Sequence, residues 1–335
     1  MRKFLKYILV FCLPLSVLFV IYIATDVFKV IYHYDPYYDG SYYIGVNRAY
    51  GSTMTYINQN PKYQYDSFVF GNSRSLFWEI DTWKKYLPKE SKCMHFDESG
   101  GSISGIHDKV MFIDKNDGQI KNALFVIDHN LLSRLEQSGY LFVSPPILKG
   151  YSNFFSFHTQ HFMAFLNPKF LVALADYNIF GKFRPYMKNL ISDGHSTYVA
   201  EYNEIQKTLT EKEIEEGIYY DAIHMKAFED VQKPGTFSTE KLADKEINCL
   251  REMKKVLEKQ HTSYKIVISP LYDQIKLNKE TLNILWVIFG KENVYDFSGV
   301  NKWNKDYHNY YEDSHYRPIV SAEMMDIIYC GKRTD

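Results

Sequence analysis

Ser67-Phe68-Val69-Phe70-Gly71-Asn72-Ser73-Arg74-Ser75 sets a short apolar run directly against turn-forming residues. A run this short, rich in Phe and Val, suits a strand buried on both faces. Glycine and asparagine stop the strand at once, and residues 75–86 read as a helix. A serine at such a strand-to-helix turn presents its hydroxyl at the edge of a sheet. The first backbone N–H groups of the helix can then face an oxyanion. Gly-Asn-Ser is also ordinary turn chemistry, so the stretch alone marks a position and not yet a catalyst.

Working outward, similar strand candidates recur at residues 93–96, 123–128, 264–269 and 293–297. Helical stretches lie between and after them, at 103–113, 238–261, 278–289 and 319–328. The clearest places Leu242, Ile247, Leu250, Met253 and Leu257 at helical spacing, with Ser238 or Thr239 available as cap. Apolar strands alternating with amphipathic helices imply an α/β domain with a parallel sheet covered on both faces. About five strands fit a flavodoxin-like doubly wound sheet, in which reacting groups gather at the carboxyl ends of the strands. The domain is expected over residues 65–330, preceded at 31–64 by a Tyr-, Asp-, Gly- and Asn-rich linker and lead-in. Residues 132–237 break the alternation with Pro145-Pro146, an aromatic run from Phe154 to Phe165 and a helical stretch near 168–191. That is too long for a simple crossover. It reads as an insertion beside the strand ends, either a lid or substrate-binding subdomain or a structural decoration.

Residues 1–30 read as a cytoplasmic N-terminus and a transmembrane signal anchor. Arg2, Lys3 and Lys6 precede nineteen uncharged residues at 7–25. At the helical rise these reach roughly 28 Å, close to the hydrocarbon thickness of a bilayer. The basic flank keeps the N-terminus in the cytoplasm and sends the remainder outward, as a single-pass protein of the inner or plasma membrane with a periplasmic or cell-surface domain. A cleaved signal peptide ending near Ala24 is the alternative, although its apolar region would usually be shorter. Pro14 kinks such a helix without preventing it from spanning.

Composition agrees with a folded chain. Of 335 residues 46% are hydrophobic, with 29 Tyr and 23 Phe, enough for a substantial core. Formal net charge is −1 from 39 basic and 40 acidic side chains, with no basic stripe, so nucleic acid is not an expected partner. The tyrosines suit half-buried packing or a sugar-facing surface. Cys12 lies in the apolar run. Cys93, Cys249 and Cys330 allow at most one intramolecular disulfide, and their spacing suggests no zinc site. No metal or organic cofactor is expected.

Near the C-terminus, Tyr311-Glu312-Asp313-Ser314-His315-Tyr316-Arg317-Pro318 places a histidine just before the last helix, with acids two and three residues earlier. A parallel sheet brings this loop towards the first turn, where a serine needs a base within hydrogen-bond reach. Ser73 and His315 together resemble the SGNH (GDSL-like) hydrolase superfamily. Gly71-Asn72-Ser73 is similar to its Gly-Asp-Ser block, with Asn for Asp, and Glu312-Asp313-Ser314-His315 to its Asp-x-x-His block, with Glu for Asp. Family spacing selects Glu312 as the acid, and Asp313 stays an alternative. The resemblance implies an oxyanion hole with Gly100, or alternatively Gly101, from Ser99-Gly100-Gly101-Ser102. It also implies Asn130 from Asp128-His129-Asn130-Leu131, a block lacking the family's glycine and final Asp. Arg74 and Arg317 flank the two main blocks. They are candidates to bind an anionic substrate or orient the loops, solvated surface charge being the other reading.

The resemblance implies acyl transfer through an acyl-Ser73 intermediate. An outward domain on one N-terminal span is similar to the alginate O-acetylation proteins and the D-alanyl transfer protein of the teichoic-acid pathway. That implies O-acylation, in particular O-acetylation, of a cell-surface polysaccharide beside a multi-spanning membrane O-acyltransferase partner. A glycan or lipid esterase with the same site is the second reading. A non-catalytic envelope binding or assembly subunit on this scaffold is the third.

Overall fold

The computed structural model describes residues 2–38, 44–133, 139–188, 190–191, 196–229, 231, 235–239 and 241–331, with backbone alone for 2–11, 133 and 151. Its centre is a five-stranded sheet. Strands β1 (Ser67–Gly71), β2 (Cys93–His95) and β3 (Asn122–Ile127) come first. Strands β4 (Thr197–Val199) and β5 (Glu204–Gln206) form a separate hairpin inside the 132–237 segment, and β6 (Ser263–Ile268) and β7 (Val294–Asp296) complete the sheet. The spatial order is β2-β1-β3-β6-β7 and every pair is parallel. The chain winds outward in both directions from β1 and β3. The order is consistent with a flavodoxin-like sheet, whose crevice lies beyond the carboxyl ends of that central pair.

The central pair β1 and β3 is largely apolar on both faces because both are covered. Phe68, Phe70, Phe125, Ile127, Ile266 and Ile268 pack on one side against helices Ile103–Lys115, Asp244–Lys259 and Lys279–Phe289. The alternate residues Val69, Leu124, Val126 and Val267 face Trp78, Trp83, Tyr316 and the helix Pro318–Cys330. Gly71 ends β1 where there is no room for a side chain: a Cβ there would lie 2.5 Å from the Val126 carbonyl oxygen.

Several expectations need correction. Residues 31–64 are not merely a linker, because Arg48–Tyr63 is a helix capped by Asn47, whose side chain accepts from the Tyr50 N–H at 2.9 Å. Its buried face carries Arg48, Ser52, Thr55, Tyr56 and Gln59, a largely polar stripe that an apolar period cannot reveal. Residues 75–86 are three short pieces instead of one helix: 3-10 turns at Ser73–Phe77 and Lys84–Tyr86 flank the single turn Ile80–Trp83. Burial of the Trp78 ring breaks the run, its indole N–H donating to the Tyr316 hydroxyl at 2.8 Å. Ser238 caps no helix. Its hydroxyl accepts from the Asn278 N–H, and the helix starts at Asp244, with Asp244 and Glu246 complementing the dipole of its first turn.

In the 132–237 segment, helices Phe154–Phe165 and Pro168–Phe180 pack against the end of the N-terminal helix Arg2–Thr25 and the loop after it. Helices Thr208–Glu215 and Ala222–Glu229 come further along it. Residues 203 and 204 of the segment are bonded to the sheet side of the domain. Asn203 donates to the His95 carbonyl at 2.8 Å, and Glu204 accepts from the Ile80 N–H at 2.6 Å. All four cysteines are free thiols. Among the residues with described side chains, no helix is long and apolar enough to cross a membrane. The expected span at 7–25 lies partly outside those residues, since they begin at Cys12.

The stacked pair Phe70 and Phe125, with centroids 5.1 Å apart, joins the two central strands on one face. Phe70→Ala is expected to lower unfolding free energy by about 3–5 kcal/mol in denaturant titrations, through lost burial and the cavity left behind.

Candidate active site

Beyond the last residue of β1, Asn72 adopts an extended conformation and caps the 3-10 turn that follows, its side-chain oxygen accepting from the Arg74 N–H at 3.0 Å. Ser73 is the first residue of that turn and stands half-buried at the carboxyl edge of the sheet. His315 arrives from the other end of the chain on a small antiparallel hairpin, β8 (Tyr310–Glu312) and β9 (His315–Tyr316). Glu312 and His315 are directly paired across its two-residue turn. Residues i and i+3 of such a hairpin are cross-strand neighbours, which places carboxylate and imidazole side by side. Asp313 occupies the exposed turn and bonds to the Ser314 hydroxyl. The sequence alternative of Asp313 as the acid therefore does not match its position.

The structure brings Ser73, His315 and Glu312 into one chain of hydrogen bonds. Ser73 Oγ lies 2.7 Å from His315 Nε2, and His315 Nδ1 meets Glu312 Oε1. A carboxylate can only accept, so the imidazole carries its proton on Nδ1 and turns the lone pair of Nε2 to the serine hydroxyl. Burial opposes ionisation of Glu312. The hydrogen bond and charge of His315, with Lys207 and Arg74 further off, nevertheless hold its carboxyl below the usual range. Phe77 packs edge-on against the imidazole, with centroids 5.5 Å apart, and fixes the ring plane.

Asp128, just past β3, is a residue that sequence reasoning passed over. One of its oxygens accepts from Asn72 Nδ2 at 2.7 Å and Arg74 Nη1 at 3.0 Å, and the other from the Leu131 N–H at 2.9 Å. Burial works against its charge, but Arg74 and Asn72 prevail and depress its pKa. Arg74 Nε also donates to the Ser314 carbonyl at 2.9 Å, tying the Ser73 turn to the histidine hairpin. Arg74 is thus buried and engaged internally, which answers the substrate-binding expectation with an orienting role.

Arg317 likewise has internal partners. Its Nε and Nη2 grip Glu211, whose Oε1 also accepts from the Tyr311 hydroxyl. Tyr219 and Tyr220 donate to the Tyr311 and Tyr310 carbonyls at 3.0 and 2.8 Å. Glu211, Tyr219 and Tyr220 all belong to the inserted segment, which therefore clamps the hairpin that carries His315. Their side chains lie about a hundred residues from the hairpin, and no local motif announces them.

The expected oxyanion residues sit beyond neighbouring strands. Gly100 has φ +59°, the left-handed region that favours glycine, in the turn after β2. That turn starts beside the Ser73 turn, the Glu98 N–H donating to the Gly71 carbonyl at 3.1 Å. At Gly101 a Cβ would collide with the Glu98 carboxylate, so this glycine serves close packing. Asn130 is half-buried in the short helix His129–Ser133 after β3. Among the described residues no cluster of three or more His, Cys, Asp or Glu could hold a metal. No family model matches the chain, nor does any curated protein or solved structure.

Glu211→Gln should weaken the clamp and reduce kcat about tenfold with KM little changed. Combined with Arg317→Ala the loss should be less than additive, which ester-hydrolysis kinetics of the double-mutant cycle would read. Because the folded pKa of Asp128 is depressed, its stabilisation is full above the unfolded carboxylate value near ~4 and is lost as pH falls through the folded one. The stability gap between wild type and Asp128→Asn should therefore narrow on acidification below about pH 4, measured by urea titration at each pH.

Proposed function

We propose that the chain is a serine acyltransferase of SGNH type, working from the outer face of a membrane through an acyl-Ser73 intermediate. The carrying observation is the 2.7 Å contact of Ser73 Oγ with His315 Nε2, with Glu312 on the opposite ring nitrogen. As Ser73 Oγ attacks an acyl carbonyl, His315 Nε2 takes its proton and Glu312 stabilises the imidazolium. Collapse of the tetrahedral intermediate expels the leaving group, which receives that proton from His315. A sugar hydroxyl then gives its proton to His315 and attacks the acyl-serine, returning Ser73 to its hydroxyl form. The Ser73 N–H, Gly100 and Asn130 are the proposed oxyanion donors.

The acceptor in this reading is a cell-surface polysaccharide, O-acetylated beside a multi-spanning membrane O-acyltransferase. Residues 7–25 form the span, with the N-terminus cytoplasmic and the α/β domain extracytoplasmic. The uncharged run at 7–25 and its basic flank support that placement. Hydrolysis of glycan or lipid esters is the second reading. It is favoured by the exposure of the pair, about a quarter for His315 and a third for Glu312, which leaves the acyl-enzyme open to water.

Ser73→Ala is expected to reduce turnover of an activated acetyl ester at least about a thousandfold and to abolish fluorophosphonate labelling, with the fold intact by circular dichroism. Undiminished turnover would overturn the enzyme reading. Given a glycan acceptor, acetylated glycan supports transfer, whereas free acetate alone assigns the hydrolase.

A further inference from the structure

A concave site lies away from the Ser73 turn, between the end of the N-terminal helix and the inserted segment. Phe19 and Tyr22 form one wall, Phe157 and Phe162 another, and Met54 comes from helix Arg48–Tyr63. The cavity measures about 680 Å³, within the range of small-ligand sites. Its described lining contains no Lys, Arg, Asp or Glu; His158, Thr159 and two tyrosines supply the polar atoms. Burial lowers the pKa of His158, which keeps the lining uncharged at neutral pH.

Apolar side chains are also exposed around the cavity. Leu13, Val17 and Val20 stand exposed on the N-terminal helix, and Phe155 and Met163 on the inserted one. Phe19 and Phe154 are exposed and also line the cavity, so its wall is continuous with that outer surface. An apolar surface of this kind is stable when hydrocarbon and not water lies against it. A partner helix is a poor fit, because a cylinder ~10–12 Å across would exhaust this volume in under two turns. An extended peptide would bring backbone groups with few polar partners. A phosphate would find no cation. A hydrocarbon chain needs neither.

We infer that this cavity binds the acyl chain of a membrane lipid, entering beside the N-terminal helix. The inference rests on the membrane-anchored reading proposed above. It gives the aromatic run at 154–165 a task distinct from catalysis: holding a lipid tail against the domain where the chain leaves the bilayer.

The test uses the full chain in nanodiscs of phosphatidylethanolamine and phosphatidylglycerol, doped with a phospholipid carrying a diazirine near the end of one acyl chain. After irradiation, adducts are expected on Met54 and on residues 154–162 as well as on the outer face of the N-terminal helix. Met54→Trp and Thr159→Trp, each adding bulk at the cavity, should reduce the cavity adducts at least fivefold and leave those on Leu13 and Val17 unchanged. Circular dichroism and fluorophosphonate labelling of Ser73 identify whichever variant retains the fold. Adducts confined to the outer helix face, cavity adducts indifferent to both substitutions, or cross-links to a polypeptide in place of lipid would overturn the inference. Alkaline extraction of native membranes separates its failure from that of the anchor. A chain that stays in the membrane but shows no cavity adducts refutes the cavity alone, whereas a chain released by alkali refutes both.

Discussion

Arg74 lies buried among three loops that have no sequence proximity. Its guanidinium bonds Asp128 beyond β3 and the Ser314 carbonyl in the histidine hairpin, while its own backbone forms the turn that carries Ser73. Removing such a charge from water costs several kcal/mol unless every donor direction is used well. The cost is offset only when the β1 turn, the end of β3 and the β8–β9 hairpin occupy their mutual positions together. Displacing the hairpin would leave a buried guanidinium short of an acceptor, so the distance from Ser73 to His315 is maintained by an interaction that involves neither side chain. Asn72 reinforces the arrangement, capping the turn with its oxygen and donating to Asp128 with its nitrogen. An aspartate at position 72 would face Asp128 with like charge, which gives a physical reason for the amide here.

The hairpin supplies the second constraint. Its two-residue turn fixes Glu312 opposite His315, so carboxylate and imidazole need no further element to meet. What the turn cannot do is hold the hairpin against the sheet, since two short strands are marginal by themselves. That support comes from Tyr316, whose hydroxyl receives the Trp78 indole and lies 3.1 Å from Ser269 beyond β6, and from Glu211, Tyr219 and Tyr220 on the outer side. His315 is thus gripped from the sheet and from the inserted segment at once.

How legible this was in the sequence depended on the range of each interaction. The central strands β1 and β3 were readable because burial on both faces leaves nearly continuous apolar runs, and Ser73 and Glu312–His315 because each sits in a compact local motif. The helix Arg48–Tyr63 was hidden because its inward face is satisfied largely by polar bonds, such as Ser52 Oγ donating to the Asp97 carbonyl at 2.9 Å, with Tyr56 its main core contact. Asp128 was visible as a residue but not as a partner, since its role depends on β3 lying beside β1. Glu211 and Tyr219 had no signal at all. Their spacing from the hairpin is set by tertiary packing, on which a single sequence is silent. The break at Trp78 shows the same rule within one element, where burial of a large ring overrode helical propensity.

The middle of the inserted segment is anchored as firmly as the part that clamps the hairpin. Arg48 pairs with Asp97 and also donates to the Asn203 carbonyl at 3.2 Å, while Asn203 reaches the His95 carbonyl. Glu204 accepts from the Ile80 N–H, and the Tyr65 hydroxyl donates to the Glu201 carbonyl at 2.7 Å. Swinging residues 201–204 away would strand buried groups on both surfaces, each costing about 1–3 kcal/mol, more where a charge is involved. Four such losses together exceed the few kcal/mol that separate an accessible minor state from the ground state. Opening at this point would therefore be rarely populated, and access to Ser73 must come through the half-exposed edge where His315 and Glu312 already meet solvent.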